Sequence, residues 1–93
     1  MLEFQNNVAK QQYQVLENAQ VIGHIDYEVV ADGVVDLPHT NIDPKHGGKG
    51  LGGQLVAYAL ADLRAHQQRA VPTCSFIASY MDKHPEVADL RAT

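Results

Sequence analysis

The hydrophobic period of the chain changes near its middle. From Gln20 to Val30 the residues alternate, with Val21, Gly23, Ile25, Tyr27 and Val29 on one side and His24, Asp26 and Glu28 on the other. A period of two predicts a strand with one face on a core and one toward water. Gln12 to Glu17 alternates more weakly around Tyr13 and Val15 and reads as a shorter strand, joined to the next by a turn at Asn18-Ala19. Asp32-Gly33 signals a hairpin, because a type I′ turn needs positive φ and glycine supplies it without strain. Val34 to Ile42 returns as the following strand, with Val35, Leu37 and His39 on one face. Pro38 has no N–H to give to a ladder, so the strand lies at an edge there, or bulges away from its neighbour. Either outcome leaves backbone groups free for an extended ligand.

Beyond Leu51 the period becomes helical. Leu55, Val56, Ala59, Leu60 and Leu63 form an apolar stripe, with Gln54, Tyr58, Ala61, Arg64 and Ala65 off it, which predicts a helix from Leu51 to about Gln67. Val71 to Cys74 reads as a short strand. Ser75 is placed to cap a helix from Phe76 to about Lys83, which His84-Pro85 stops, and Glu86 to Arg91 has room for one or two further helical turns. The order β-β-β-α-β-α predicts an α+β fold on a mixed sheet, as a single domain over residues 1–93.

Composition narrows the function. A chain of 93 residues with 45% hydrophobic residues can bury one modest core. No apolar run has the length of a membrane span, and Met1 to Asn7 lacks the basic and apolar regions of a signal peptide. The single cysteine, Cys74, cannot form an internal disulfide, which suits a reducing compartment, so a cytoplasmic protein without a membrane partner is expected. The net charge of −4 and the scattering of seven basic residues argue against nucleic acid as a partner. Lys45, His46 and Lys49 are the local exception, and they surround a glycine-rich stretch. No spacing of His, Cys, Asp or Glu suggests a metal site.

That stretch, Gly47 to Gly53, holds five glycines in seven residues and lies between a strand and a helix. Such a loop presents free amides and the positive end of the helix dipole to an anion. The Walker A pattern fails, since no Lys-Ser or Lys-Thr follows the last glycine. Gly48-Lys49-Gly50-Leu51-Gly52-Gly53 matches the dinucleotide string G-x-G-x-x-G, but no acidic residue ends a second strand about twenty residues on, and the chain is short for a doubly wound sheet.

A third reading comes from resemblance. His39-Thr40-Asn41-Ile42-Asp43-Pro44, then Gly47-Gly48-Lys49-Gly50-Leu51-Gly52, then Pro72-Thr73-Cys74, Tyr80 and His84-Pro85-Glu86 follow one another at the spacing of small single-domain members of the GCN5-related N-acetyltransferase (GNAT) superfamily, the YjdJ-like type. The chain resembles that group over most of residues 20–90. The resemblance implies a reduced GNAT-like fold using acetyl-CoA as co-substrate. Gly48, Lys49, Gly50, Leu51 and Gly52 would offer amides to the pyrophosphate. Asn41 and Ile42 would end a splayed strand whose backbone pairs with the pantetheine arm. Cys74 would end the next strand beside the thioester. Tyr80 would protonate the departing thiolate. One position departs from the pattern: Gly47 stands where the loop usually begins with Arg or Gln, which leaves Lys45 and His46 as the cations able to compensate.

Each candidate also has a plain structural reading. Cys74 is either a small buried hydrophobe or a thiol activated by a following helix N-terminus. His39 is either a satisfied strand histidine or a general base, and Tyr80 is either core or acid. The function these residues point to is N-acetyl transfer to an amine, such as a protein or peptide lysine. The alternative is a module that binds CoA or acyl-CoA without transferring anything. Either works as a monomer or a homodimer.

Overall fold

The computed structural model describes residues 1–92. Five strands form one sheet in sequence order: β1 (Leu2–Asn7), β2 (Gln12–Glu17), β3 (Gln20–Ala31), β4 (Val34–Ile42) and β5 (Arg69–Val71). The first four are antiparallel to their neighbours, and β5 pairs parallel with β4. Helix α1 (Leu51–Ala65) makes the crossover between them, and α2 (Ser75–Lys83) follows β5. Short 3₁₀ turns occupy Pro44–His46 and Pro85–Leu90. The fold is the mixed α+β arrangement that the alternation predicts.

One face of the sheet carries the core. The whole predicted stripe of α1, together with Leu51, is buried against Tyr13, Val15, Ile25, Val35 and Leu37. Removing that much apolar surface from water is what holds a helix of this length on the sheet. The opposite face is polar. It carries Gln12, Gln14, His24, Asp26, His39 and Asn41, and Gln14 is buried there by bonds with Gln5 and Gln12.

Several boundaries differ from the sequence reading. Strand β1 is not predicted at all. It has only Leu2 and Phe4 to mark an inner face, and Phe4 stacks on Tyr58 of α1 with ring centroids 5.6 Å apart. In β3, Val21 is exposed and Ile22 is buried, the reverse of the alternation. Val15 faces Gly23 while Leu16 faces Val21, so Ile22 is the extra residue of a β-bulge and the faces exchange there. β5 spans Arg69–Val71 rather than Val71 to Cys74, because Pro72 cannot extend the ladder. Cys74, not Ser75, is the N-cap of α2.

Candidate functional site

Pro38 shapes the site. Asp26 faces His39 and Glu28 faces Asp36, so two steps along β3 match three along β4, and the surplus residue lies at Leu37-Pro38. The bulge exchanges the faces of β4. Thr40 pairs with Ile25 on the helix side, and His39 pairs with Asp26 on the polar side. His39 therefore does not share a face with Val35 and Leu37, as simple alternation predicts. It is exposed, with its ring centroid 6.4 Å from that of His24.

The other edge of β4 opens at the same point. β5 pairs only with Val34, Val35 and Asp36. The chain then turns away, and the Cys74 N–H donates to the Leu37 carbonyl at 2.9 Å. From Pro38 to Ile42 no strand among the described residues lies beside the outer edge of β4.

After β4 the chain makes its 3₁₀ turn. Asp43 caps that turn by accepting from the Lys45 N–H at 3.0 Å. Gly48 and Gly50 then take positive φ of 79° and 73°, and a Cβ at either would meet nothing within 4 Å. Their demand for glycine is conformational. Gly50 is the N-cap of α1 and offers no side chain to the first amides, and the first turn contains no acidic residue. The helix therefore begins with unpaired N–H groups and an uncompensated positive dipole end.

These parts share one cavity of about 380 Å³, lined by Thr40 and Ile42 of β4, by His46, Gly47, Gly48 and Gly50, by the first residues of α1, and by Phe76. Of the residues singled out in the sequence, Ile42, Gly48, Gly50, Leu51 and Gly52 line it, whereas Asn41 and Lys49 do not. Asn41 points to the polar face, where it pairs with His24. Thr40 and Phe76 are the residues that sequence reasoning missed. Thr40 becomes legible once the Pro38 bulge is counted into the alternation. Phe76 shows itself only in three dimensions, where its ring rests over Gly52. A Cβ at Gly52 would lie 2.9 Å from Phe76 Cζ, so this glycine makes room for an aromatic ring.

Cys74 sits behind Thr40. Its thiol donates to Thr40 Oγ1 at 3.5 Å. Burial pulls the thiol pKa up, but the Thr40 hydroxyl and the backbone amides of Ile77, Phe76 and Thr40 together outweigh it, and the group titrates below the ordinary thiol value. Tyr80 lies beside Gly53, with Cε2 3.9 Å from where a Cβ there would be, and stacks on His84 with centroids 3.9 Å apart. Burial, and then the charge of Glu86, raise its pKa and keep the phenol protonated. Tyr80 lines a different and larger groove of about 680 Å³ between α1, α2 and the last 3₁₀ turn, not the glycine-loop cavity. That groove runs along the later turns of α1, away from its first amides, and carries the Glu86 and Asp89 carboxylates, so the smaller cavity is the better anion site.

The arrangement can hold an anion at the start of α1, lay an extended arm along an unpaired strand edge, and bring its end to a polarised thiol. The family model described as GCN5-related N-acetyl-transferase matches residues 12–90. No match is found among curated protein sequences. Among solved structures, a GCN5-like protein from Staphylococcus aureus, studied by NMR, superposes with a TM-score of 0.76 at 20% identity, over 97% of this chain and 87% of that one. Ard1 from Thermoplasma volcanium superposes at 0.62 with 17% identity, over 82% of this chain and 55% of its own. The ribosomal-protein-S18-alanine N-acetyltransferase from Escherichia coli also gives 0.62 at 17%, over 77% and 49%. The chain thus spans about half the length of the last two, and at these identities the likeness is one of fold. The family match covers most of the chain, and the chain belongs to the GCN5-related N-acetyltransferase family.

Proposed function

We propose that the chain transfers the acetyl group of acetyl-CoA to an amine, with a protein or peptide lysine as acceptor. The observation that carries this reading is that the uncapped amides of α1 and the open edge of β4 wall the same cavity, whose Thr40 is bonded to Cys74. In this reading the amides of Gly48, Lys49, Gly50, Leu51 and Gly52 hold the pyrophosphate. The backbone at Asn41 and Ile42 pairs with the pantetheine arm, which brings the thioester next to Cys74.

An amine must lose a proton to attack the thioester carbonyl. His39, on the uncovered face of β4, takes that proton directly or through a water. The new C–N bond forms as the C–S bond breaks, and Tyr80, kept protonated, gives its proton to the departing thiolate. A second route passes through Cys74. Its thiolate attacks the carbonyl, the C–S bond to CoA breaks and CoA leaves with the proton of Tyr80, after which the deprotonated amine attacks the acyl-cysteine and Cys74 departs as the thiolate.

The test is calorimetric titration with CoA and acetyl-CoA, repeated with Gly50→Glu, followed by acetyl transfer to a lysine peptide. Binding that the substitution abolishes, together with transfer, is the expected result. Absence of binding at millimolar ligand overturns the reading. One observation favours a module that only binds the cofactor: a tight turn at residues 8–11 joins β1 to β2, and the polar face around His39 has no covering element among the described residues. Binding without transfer to any amine would select that alternative.

A further inference from the structure

A carboxylate stands uncompensated at the far end of α1. Asp62 lies in the last turn of the helix, where the dipole already places negative charge. Its Oδ2 accepts from the Tyr13 hydroxyl at 2.8 Å and from Asn6 Nδ2 at 3.4 Å, both neutral donors. Its Oδ1 lies 3.5 Å from His66 Nδ1, and that nitrogen is closer to the Asp62 main-chain oxygen, at 2.8 Å. The ion pairs of the described residues bring Asp62 no lysine or arginine. Arg64, in the same turn, is held by Asp89 and the Glu86 carbonyl, and Arg69 donates to the Arg91 carbonyl.

Asp62 lines a cavity of about 190 Å³, together with Asn6, Tyr27, Val29, Leu63 and His66. Sites for small molecules usually measure about 300–1,000 Å³, so this space suits a single long side chain. Val29, Leu63 and the Tyr27 ring give it apolar walls, and Asp62 gives it a carboxylate oxygen with room for a donor. That combination fits the methylene stem and charged head of arginine or lysine.

The backbone beside the cavity is also uncovered. β2 pairs with β3 only as far as Gln12 with Asp26, and the Gln11 carbonyl accepts from the Tyr27 N–H at 3.0 Å. β3 continues to Ala31, joined to β4 on its other side. From Glu28 to Ala31 no strand among the described residues lies on the β2 side. Val29 and Val30 are exposed on this stretch, and Val8 is exposed in the turn that Gln11 closes. Such an edge takes up an extended segment by strand addition. A segment added there continues the line of β2. Its side chains on the helix side then fall between Val29 and Asn6, which both line the cavity.

We propose that this corner docks an extended segment of a partner protein, which adds to the free edge of β3 and seats an arginine or lysine side chain in the cavity against Asp62. Exposed valines on either side suit a basic residue flanked by apolar ones. Asp62 stands about 16 Å along α1 from Leu51, so the site fills independently of the loop cavity and does not depend on the coenzyme A reading.

The probe is acetyl-valyl-arginyl-valine amide, whose guanidinium stays charged and cannot act as the acceptor amine. It is titrated into the chain while NMR follows the backbone amides. Saturable binding is expected, with shifts at Val29, Asp62 and His66 and slower exchange of the outer amides of β3. Citrulline in place of arginine keeps the shape without the charge and should weaken binding at least about tenfold. Lysine in its place should retain binding. Asp62→Asn keeps an acceptor for Tyr13 and should bind the arginine peptide at least about tenfold more weakly, with CoA affinity unchanged. Thermal unfolding checks that this variant folds. Val29→Lys, at a half-exposed position, places a cation of the chain's own at the mouth and should weaken the peptide as well, whatever the stability of Asp62→Asn. Absence of binding at millimolar peptide, equal affinity for the citrulline peptide, or shifts confined to the polar face around His39 overturn the proposal. Failure of the chain to bind CoA overturns the cofactor reading and leaves this site standing.

Discussion

Gly23 is a glycine for steric reasons. A Cβ there would lie 2.5 Å from Ile42 Cδ1, 3.0 Å from Val15 Cγ1 and 3.3 Å from the Asn41 carbonyl. Gly23→Ala is therefore expected to cost about 1–3 kcal/mol, read from denaturant unfolding. Ile42 must move to admit the methyl group, and because it lines the loop cavity, affinity for CoA should fall as well. Cys74 gives a second test at this scale. With the Thr40 hydroxyl and three backbone amides favouring the thiolate over the penalty of burial, its alkylation by iodoacetamide should reach half-maximal rate at a lower pH than in a denatured control. The sign follows from the thiolate being the reactive form. Thr40→Val removes the hydroxyl and should move the midpoint back up. A profile that Thr40→Val leaves unmoved would show that the bond to Thr40 does not tune the thiol. Neither feature can be read from a string of residues. A glycine within an alternating strand and a lone cysteine carry no mark of what lies across from them.

At the level of elements, the best-predicted piece is the one whose burial is periodic. Every residue assigned to the stripe of α1 is buried, and the helix ends two residues before the predicted limit, at Ala65, with Gln67 in a left-handed turn. The pieces that escape are those decided by partners rather than by pattern. β1 is held by pairing to β2 and by Phe4 on Tyr58, and β5 by three pairs with β4. Pro38 announces an interruption in the sequence. Which face follows the bulge, and so where His39 and Thr40 point, depends on register with β3. α1 is also tied to the sheet by a polar contact. The buried Tyr13 hydroxyl donates to Asp62 Oδ2 at 2.8 Å, and Asn6 reaches the same oxygen at 3.4 Å. Burial and then Asp62 push the Tyr13 pKa far up, so the phenol stays a donor at any physiological pH. Tyr13→Phe leaves the carboxylate one donor short and should destabilise by about 1.5–3 kcal/mol. Leu60→Ala, which opens a cavity beneath the same helix, should cost about 2–5 kcal/mol. If Tyr13→Phe proves neutral in denaturant unfolding, packing alone seats the helix.

On the scale of the whole molecule, the sheet divides two tasks between its faces. The helix side builds the core and the loop cavity, and the polar side stays open around His39. That side carries Asp26, Glu28 and Asp36, and Glu28 lies directly opposite Asp36 on the neighbouring strand. Like charges facing each other across a ladder are unfavourable unless a cation joins them. The ion pairs of the described residues bring no lysine or arginine to these three carboxylates, since Arg64 and Arg91 are engaged by Asp89 and Asp82. A cationic acceptor approaching this face meets both the carboxylates and the imidazole that would take its proton. His39→Gln should then lower kcat/KM for acetyl transfer to a lysine peptide by about a hundredfold or more. CoA affinity should be unchanged, because His39 lies on the other side of β4 from the loop cavity. The preference for basic over acidic peptides should weaken as salt rises. If His39→Gln instead lowers CoA affinity and transfer together, the imidazole supports the cofactor site. The acceptor would then have to arrive from the helix side, where Tyr80 lies beside Gly53 in the first turn of α1.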